Sequence, residues 1–294
     1  MNKNQLSEVK ETKETRVQKK LEELNLIDDF LFTAAASYGQ DGRQLCQSIL
    51  EIILGRKLPN LKVEVQKVLP AVDTNKHGIR MDVVIREVEG DEGEKSEESV
   101  YDIEMENHEF KPKRARYYHA LADRKLLDAG DDYRMLGNVF IIVIMPNDPF
   151  GKNRIMYTIK RKVIEDFSID YEDGDTTFYL YTRGTVTDGR QELVDLLHYI
   201  EDSNQKNAKG PELEKIHDII NKVKYDRKVG AAYMKSFERE RMIMEEARER
   251  GLAEGREEGR EEERRNTERE RQRAEEAEKE LERLKEELKN YQEK

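Results

Sequence analysis

The run Asn138–Met145 (NVFIIVIM) constrains the fold more than any other feature of the chain. A half-buried strand alternates apolar and polar residues, whereas this run stays apolar and has the length of a strand buried on both faces. Pro146 and Pro149 stop it. Such a strand needs a helical layer on each side, and helical spacing is present to supply both. Leu21, Leu24, Ile27, Leu31 and Ala34 recur every three or four residues, and Leu45, Ile49, Ile52 and Ile53 mark a second helix that Gly55 and Pro59 end. Lys111–Leu127 reads as a basic amphipathic helix and Gln191–Ile200 as a short one. Val63–Val68, Ile79–Arg86 and Val100–Glu106 read as strands, with a turn at His77-Gly78 and an acidic connection over Glu87–Ser99. Arg154–Arg161 and Thr177–Tyr181 add two more strands. The expected fold class is α/β, a central mixed sheet flanked by helices.

The composition, 40% charged and 36% hydrophobic, is too polar for one uniform globule. The apolar runs lie mainly between Leu24 and Ile200, and the stretch after Phe237 is almost entirely Glu, Arg, Lys and Ala. The expected organisation is a polar segment over 1–20, a core over 21–205 and a charged helical tail over 206–294, with a helix break near Gly230. A net charge of -11 argues against a general nucleic-acid coat, although a local basic patch or a bound metal changes that locally. Cys46, the one cysteine, sits in an apolar run and reads as a buried small hydrophobe. The opening residues have no apolar signal core, and no stretch approaches the roughly 18 apolar residues of a membrane span. The expectation is a cytoplasmic protein without a membrane partner.

On the strand Tyr101–Glu106, Tyr101, Ile103 and Met105 share one face and Asp102, Glu104 and Glu106 the other. Three carboxylates in line repel one another, so they persist where water or a cation relieves them. If the preceding strand pairs as a hairpin, Asp82 comes beside Glu104, and two carboxylates plus waters are what Mg²⁺ accepts. An antiparallel hairpin with one wet face would show the same alternation, and the pattern alone leaves both readings open.

The segments Gly78–Val83, Tyr101–Glu106 and Pro112–Tyr118 resemble the recombination-promoting nuclease (Rpn) family, transposase-like members of the PD-(D/E)XK nuclease superfamily. Asp28–Phe32, Asp148–Gly151 and the Glu/Arg/Gly-rich tail resemble it too, over about Ile27 to Thr182. The resemblance implies a PD-(D/E)XK (restriction-endonuclease-like) core with a four-stranded mixed sheet. It implies that Asp82 and Glu104 ligate Mg²⁺ (or Mn²⁺), with Asp29 as a helix-borne supporting acid, and that the activity is hydrolysis of DNA phosphodiesters in recombination, transposition or defence against foreign DNA. One departure stands out. The family usually has Gln two residues after the motif glutamate, where the wider superfamily has Lys, and here Glu106 occupies that position. A glutamate can accept a proton or bind a second metal but cannot offset charge.

Lys113, Arg114 and Arg116 crowd the start of the basic helix and are candidate contacts to the phosphate backbone of DNA. A solvated basic face pairing with Asp128, Asp131 and Asp132 is the plainer alternative. Tyr117 and Tyr118 read as core or orienting residues, and His77, His108 and His119 have no zinc-ligand spacing. In the tail, Gly251, Gly255 and Gly259 recur every four residues, and Ala277, Leu281, Leu284, Leu288 and Tyr291 form an a/d seam of about two and a half heptads. Both point to self-association, a dimer being favoured, or to a protein partner. A charged helix with incidental glycines is the alternative. The competing functions are a nuclease-fold module that binds DNA or regulates without cleaving, and an assembly protein acting through its coiled-coil tail.

Overall fold

The computed structural model describes residues 19–58, 61–69, 79–89, 97–106, 112–126, 130 and 132–292, without the side chains of 63–69, 79–82, 88–89, 97–98, 125–126, 240 and 286–292. The polar segment up to residue 18, the His77-Gly78 turn, residues 90–96 of the acidic connection, His108, Lys111, Asp128 and Asp131 lie outside the described residues, as do the side chains of Asp82, Lys125, Leu288 and Tyr291. The chain divides into two compact units, Met1–Ala231 and Ala232–Lys294.

The first unit is α/β. Its strands are β1 Leu61–Leu69, β2 Ile79–Glu89, β3 Glu97–Met105, β4 Asn138–Met145, β5 Met156–Ile159 and β6 Asp175–Tyr181, and its helices are α1 Asp29–Ala36, α2 Gly39–Leu54, α3 Pro112–Leu126, α4 Gln191–Glu201 and α5 Pro211–Lys224. A last helix, α6, runs Arg227–Gln292. Among the described residues the sheet has six strands in the order β1-β2-β3-β4-β6-β5. β1, β2 and β3 pair antiparallel, β4 lies parallel to both β3 and β6, and β5 closes the edge antiparallel to β6. The sheet is therefore wider than the four strands that the resemblance implies.

The register sorts β-strand residues into two faces. Val84, Asp102, Ile141 and Thr177 form one row, and Glu104, Val143 and Tyr179 form the next row on the same face. α3 covers this face with Ala115, Tyr118 and Ala122, which pack against Val84, Val100, Val139, Ile141, Val143 and Met145. The opposite face presents Val83, Ile85, Ile103, Ile142, Ile144 and Leu180, all buried. There α1 and α2 pack over β1 and β2, with α4 and α5 behind them. β4 is buried on both sides, as its continuous apolar run requires. Gly42 lets α2 turn back against α1, since a side chain there would collide with the Ala36 carbonyl oxygen.

Four local expectations differ from the structure. The first apolar run is not one helix: Leu21, Leu24, Leu26 and Ile27 are buried, but Leu26 N–H donates to Ser203 Oγ (2.8 Å) and Ile27 N–H to the Ile200 carbonyl (2.9 Å). Helical bonds give way there to docking on the end of α4. β5 is shorter than Arg154–Arg161. Glu87 and Ser99 belong to β2 and β3 rather than to their connection, and they pair with each other. The break before α6 falls at Tyr225-Asp226 rather than near Gly230, because Asp226 Oδ1 accepts the N–H groups of Lys228 (2.7 Å) and Val229 (3.2 Å) and caps the helix. Cys46 is fully buried, and burial pushes its thiol up to about 12, so it behaves as the small hydrophobe expected.

His119 ties α3 to β6, with Nε2 2.9 Å from Thr177 Oγ1 and Nδ1 3.0 Å from Asp175 Oδ1. Arg161 reaches Asp175 from the loop side at 2.9 Å. Burial alone would raise the Asp175 pKa, but His119 and Arg161 outweigh it and hold the carboxyl below its ordinary value. A group with a depressed native pKa stabilises above its unfolded value, about 3.9, and loses that contribution as pH falls through the native one. Urea midpoints measured against pH should thus fall less steeply below about pH 4 in Asp175→Asn than in the wild type; equal acid slopes would mean that Asp175 contributes nothing to acid unfolding.

Candidate active site

Asp102 and Glu104 lie on the face of β3 that α3 covers, and they are 0% and 2% exposed. The reading of a wet acidic face does not apply to these two residues. Burying carboxylates between a sheet and an apolar helix face costs several kcal/mol per ion unless partners are provided. For Glu104 the partners come from α3. Arg114 Nη2 lies 3.1 Å from Glu104 Oε2, and its Nη1 lies 2.6 Å from Oε2 of Glu106. Arg114 Nε donates to Tyr118 Oη at 2.7 Å, and Tyr118 Oη lies 3.4 Å from Glu104 Oε2. The guanidinium carbon is 5.1 Å from the centre of the Tyr118 ring. One arginine thus bridges two carboxylates and a phenol.

Local sequence explains the arrangement. Pro112 opens α3, where a missing N–H costs nothing. Arg114 and Tyr118 follow at i and i+4 on one side of the helix, so the guanidinium and the hydroxyl meet. Glu106 continues β3 past its last paired residue by donating its N–H to the Ile144 carbonyl at 2.9 Å. Burial, then the charges of Glu104 and Asp102, push the Tyr118 hydroxyl well above the ordinary tyrosine range, so it is neutral near pH 7 and acts as a donor. Burial opposes the charge on Arg114, but the Tyr118 hydroxyl, Glu104 and Glu106 more than compensate.

The β2–β3 register runs through Val84 with Asp102 to Val83 with Ile103, one residue short of Asp82 and Glu104. Asp29 is exposed at the start of α1 and accepts from Thr33 Oγ1 of its own helix at 3.2 Å. Among the described residues, no hydrogen bond or ion pair joins it to the acids of β3. Lys113 and Arg116 stand exposed on the outer side of α3 beside Tyr117, while Arg114 turns inward. Among the described residues no group of three or more His, Cys, Asp and Glu is set to hold a metal ion. Two carboxylates meet the smaller demand of Mg²⁺, which keeps most of its waters, and the oxygen-only donors of Asp82 and Glu104 fit that ion in kind.

A crevice of about 370 Å³ opens at the same end of the sheet, lined by Pro112, Met145, Asn147, Asp148, Phe150 and Tyr179. Asp148 shapes its rim. Its Oδ1 accepts from Phe150 N–H (3.0 Å) and Tyr157 Oη (2.7 Å), and its Oδ2 accepts from Asn153 N–H (2.6 Å). Phe150 meets the rings of Tyr157 and Tyr179 edge-on at 4.9 and 5.4 Å. The carboxyl ends of parallel strands are where open α/β sheets receive ligands.

Two polar clusters escaped the sequence reading. On the opposite face, Glu87 is 2% exposed and takes a bidentate pair from Arg56 (3.0 and 2.7 Å) and a hydrogen bond from Tyr101 Oη (2.7 Å). His119 with Asp175 and Thr177 is the other. Neither has a local signal, because each partner comes from a distant element. No family model, no curated protein and no solved structure matches the chain.

Removing Arg114 leaves Glu104 buried beside Asp102 without its cation. Arg114→Ala should destabilise the first unit by about 2 kcal/mol, less than the 3–5 of a fully buried pair because Arg114 is 41% exposed. In a double-mutant cycle, Arg114→Met with Glu104→Gln should recover most of that loss, and additive losses would mean that the pair is not coupled.

Proposed function

We propose that the chain is a metal-dependent DNA endonuclease with a PD-(D/E)XK core, of the Rpn kind that its motifs resemble. The observation that carries this reading is the burial of Glu104 at the carboxyl end of β3, at the end of the sheet where a crevice of about 370 Å³ opens and one residue beyond the pairing of Val83 with Ile103. A structural role alone gives no reason to bury two acids in line under a helix, since the same sheet face elsewhere is filled by valine and isoleucine.

In this reading Asp82 and Glu104 hold Mg²⁺ (or Mn²⁺), with Asp29 in support. Bound there, the cation supplies an acidified water and stabilises charge on the phosphate. The remaining work belongs to the chain. Tyr118 and Arg114 fix the Glu104 carboxylate by hydrogen bonds at its inner oxygen. α3 shields the site from bulk water with Ala115 and Tyr118. Glu106, whose side chain is 13% exposed and paired with Arg114, is the carboxylate that would accept a proton in this reading. Lys113 and Arg116 face solvent and are free to meet the phosphate backbone.

A second reading is a nuclease-fold module that binds DNA without cleaving it. What favours it is Arg114, which sets a built-in cation between Glu104 and Glu106. Supercoiled-plasmid cleavage separates the two. The nuclease reading expects nicking in Mg²⁺ or Mn²⁺, none in EDTA, and a loss on the order of 100-fold or more in Asp82→Ala and Glu104→Ala. If Asp82→Ala cut as fast as the wild type, this mechanism would be wrong. Retained DNA binding without cleavage, with activity gained in Glu106→Gln, selects the second reading.

A further inference from the structure

From the seam of the last helix we infer that two copies of this chain associate through residues 274–291 as a parallel, in-register coiled coil. This inference is independent of the nuclease reading. The second unit is a helix whose described side chains are nearly all exposed, including Leu281 and Leu284, each 53%. The helix does not need those leucines for itself. Its polar side chains pair locally, Arg265 with Glu261 at 2.9 Å and Arg271 with Glu275 at 3.1 Å.

With Ala274 at a, the sequence sets Ala277 at d, Leu281 at a, Leu284 at d, Leu288 at a and Tyr291 at d. The flanking charges then choose the partner and its direction. Arg273 and Glu280 fall at g, and Glu278 and Lys285 at e. In a parallel pair each g residue faces the e residue five positions later on the other helix. That sets Arg273 against Glu278 and Glu280 against Lys285, two attractive pairs, each formed twice by symmetry. An antiparallel pair sets g against g and e against e, which brings Glu278 toward Lys285 but also Glu280 toward Glu287, so a repulsive contact takes the place of one of the two attractive ones. Glu280 also approaches Arg283 of its own helix at 4.0 Å, an exposed contact too long to compete strongly. The glycines at 251, 255 and 259 have open space about them and add nothing to this argument. The seam is short, so the pair is weak and depends on concentration.

Sedimentation equilibrium on the full chain is the test. The expected result is a monomer–dimer equilibrium that Leu281→Glu with Leu284→Glu abolishes without loss of helical circular dichroism. Glu280→Lys should weaken the dimer at least about tenfold by setting lysines against each other, and adding Lys285→Glu should restore it. Ala274→Cys reports direction: in the parallel pair the two introduced thiols face each other and oxidise to a disulfide, whereas antiparallel helices hold them roughly 25 Å apart. The native Cys46 is buried and does not interfere. A monomer at every concentration, a dimer indifferent to the leucine changes, a higher oligomer, or a dimer that Ala274→Cys does not cross-link would each overturn the inference.

Discussion

Burying a carboxylate in an apolar layer costs several kcal/mol unless a cation comes with it, and at Glu104 that cation arrives from α3. The contact has geometric consequences. For Arg114 to reach Glu104 and Glu106, the first turn of α3 must sit over the end of β3. The helix then runs back across the sheet with Ala115, Tyr118 and Ala122 facing down. A strand that follows such a helix returns parallel to the one before it, and β4 does lie parallel to β3. The β3–α3–β4 unit therefore encloses β4 on one face while α1 and α2 close the opposite side of the sheet. Farther along α3, His119 makes a second link between helix and sheet, reaching Asp175 and Thr177 on β6.

How much of this was legible in the sequence depends on the range of the interaction. The NVFIIVIM run, the alternation on β3 and the amphipathic α3 are local patterns, and each appears in the structure close to where periodicity put it. The pairing of β2 with β3 was also accessible, because an antiparallel hairpin leaves few registers that keep Val83 and Ile103 on the buried side. What escaped is long-range or depends on competition. Leu21 to Ile27 has helical spacing, but Ser203 and Ile200, far along the chain, take its backbone donors. Glu87 looked like part of an acidic loop because Arg56 and Tyr101, which make its burial tolerable, lie outside any sequence window. At the start of α6, a glycine penalty at Gly230 competed with a cap at Asp226, and the cap decided the boundary.

The same distinction separates the candidate site residues. Glu104 and Arg114 were singled out for different reasons, one as a metal ligand and the other as a phosphate contact, and the structure brings them together as an ion pair. Spacing alone showed which residues share a helix side, but not which side faces the sheet. Once Ala115, Tyr118 and Ala122 define the buried stripe, Lys113 and Arg116 are left outward and Arg114 at the edge, within reach of the acids. A small side chain at position 115 thus bears on the chemistry, because it lets α3 approach β3 closely enough for the bridge.

The two units differ in how they handle charge, and the difference bears on what each can do alone. In the first, alongside local pairs, some ion pairs join distant elements: Arg56 with Glu87, Arg161 with Asp175, Lys222 with Asp41. Such pairs exist only when the whole unit is folded, so charge and tertiary structure depend on each other. In the second, the described pairs are one helical turn apart, which supports a helix by about 0.3–0.5 kcal/mol each and asks nothing of the rest of the chain. A helix stabilised in this way has no internal use for regularly spaced leucines. Leu281 and Leu284 are therefore surplus to the folding of one chain, and their heptad spacing, flanked by charges that repel less in parallel than in antiparallel register, makes sense when the partner is a second copy.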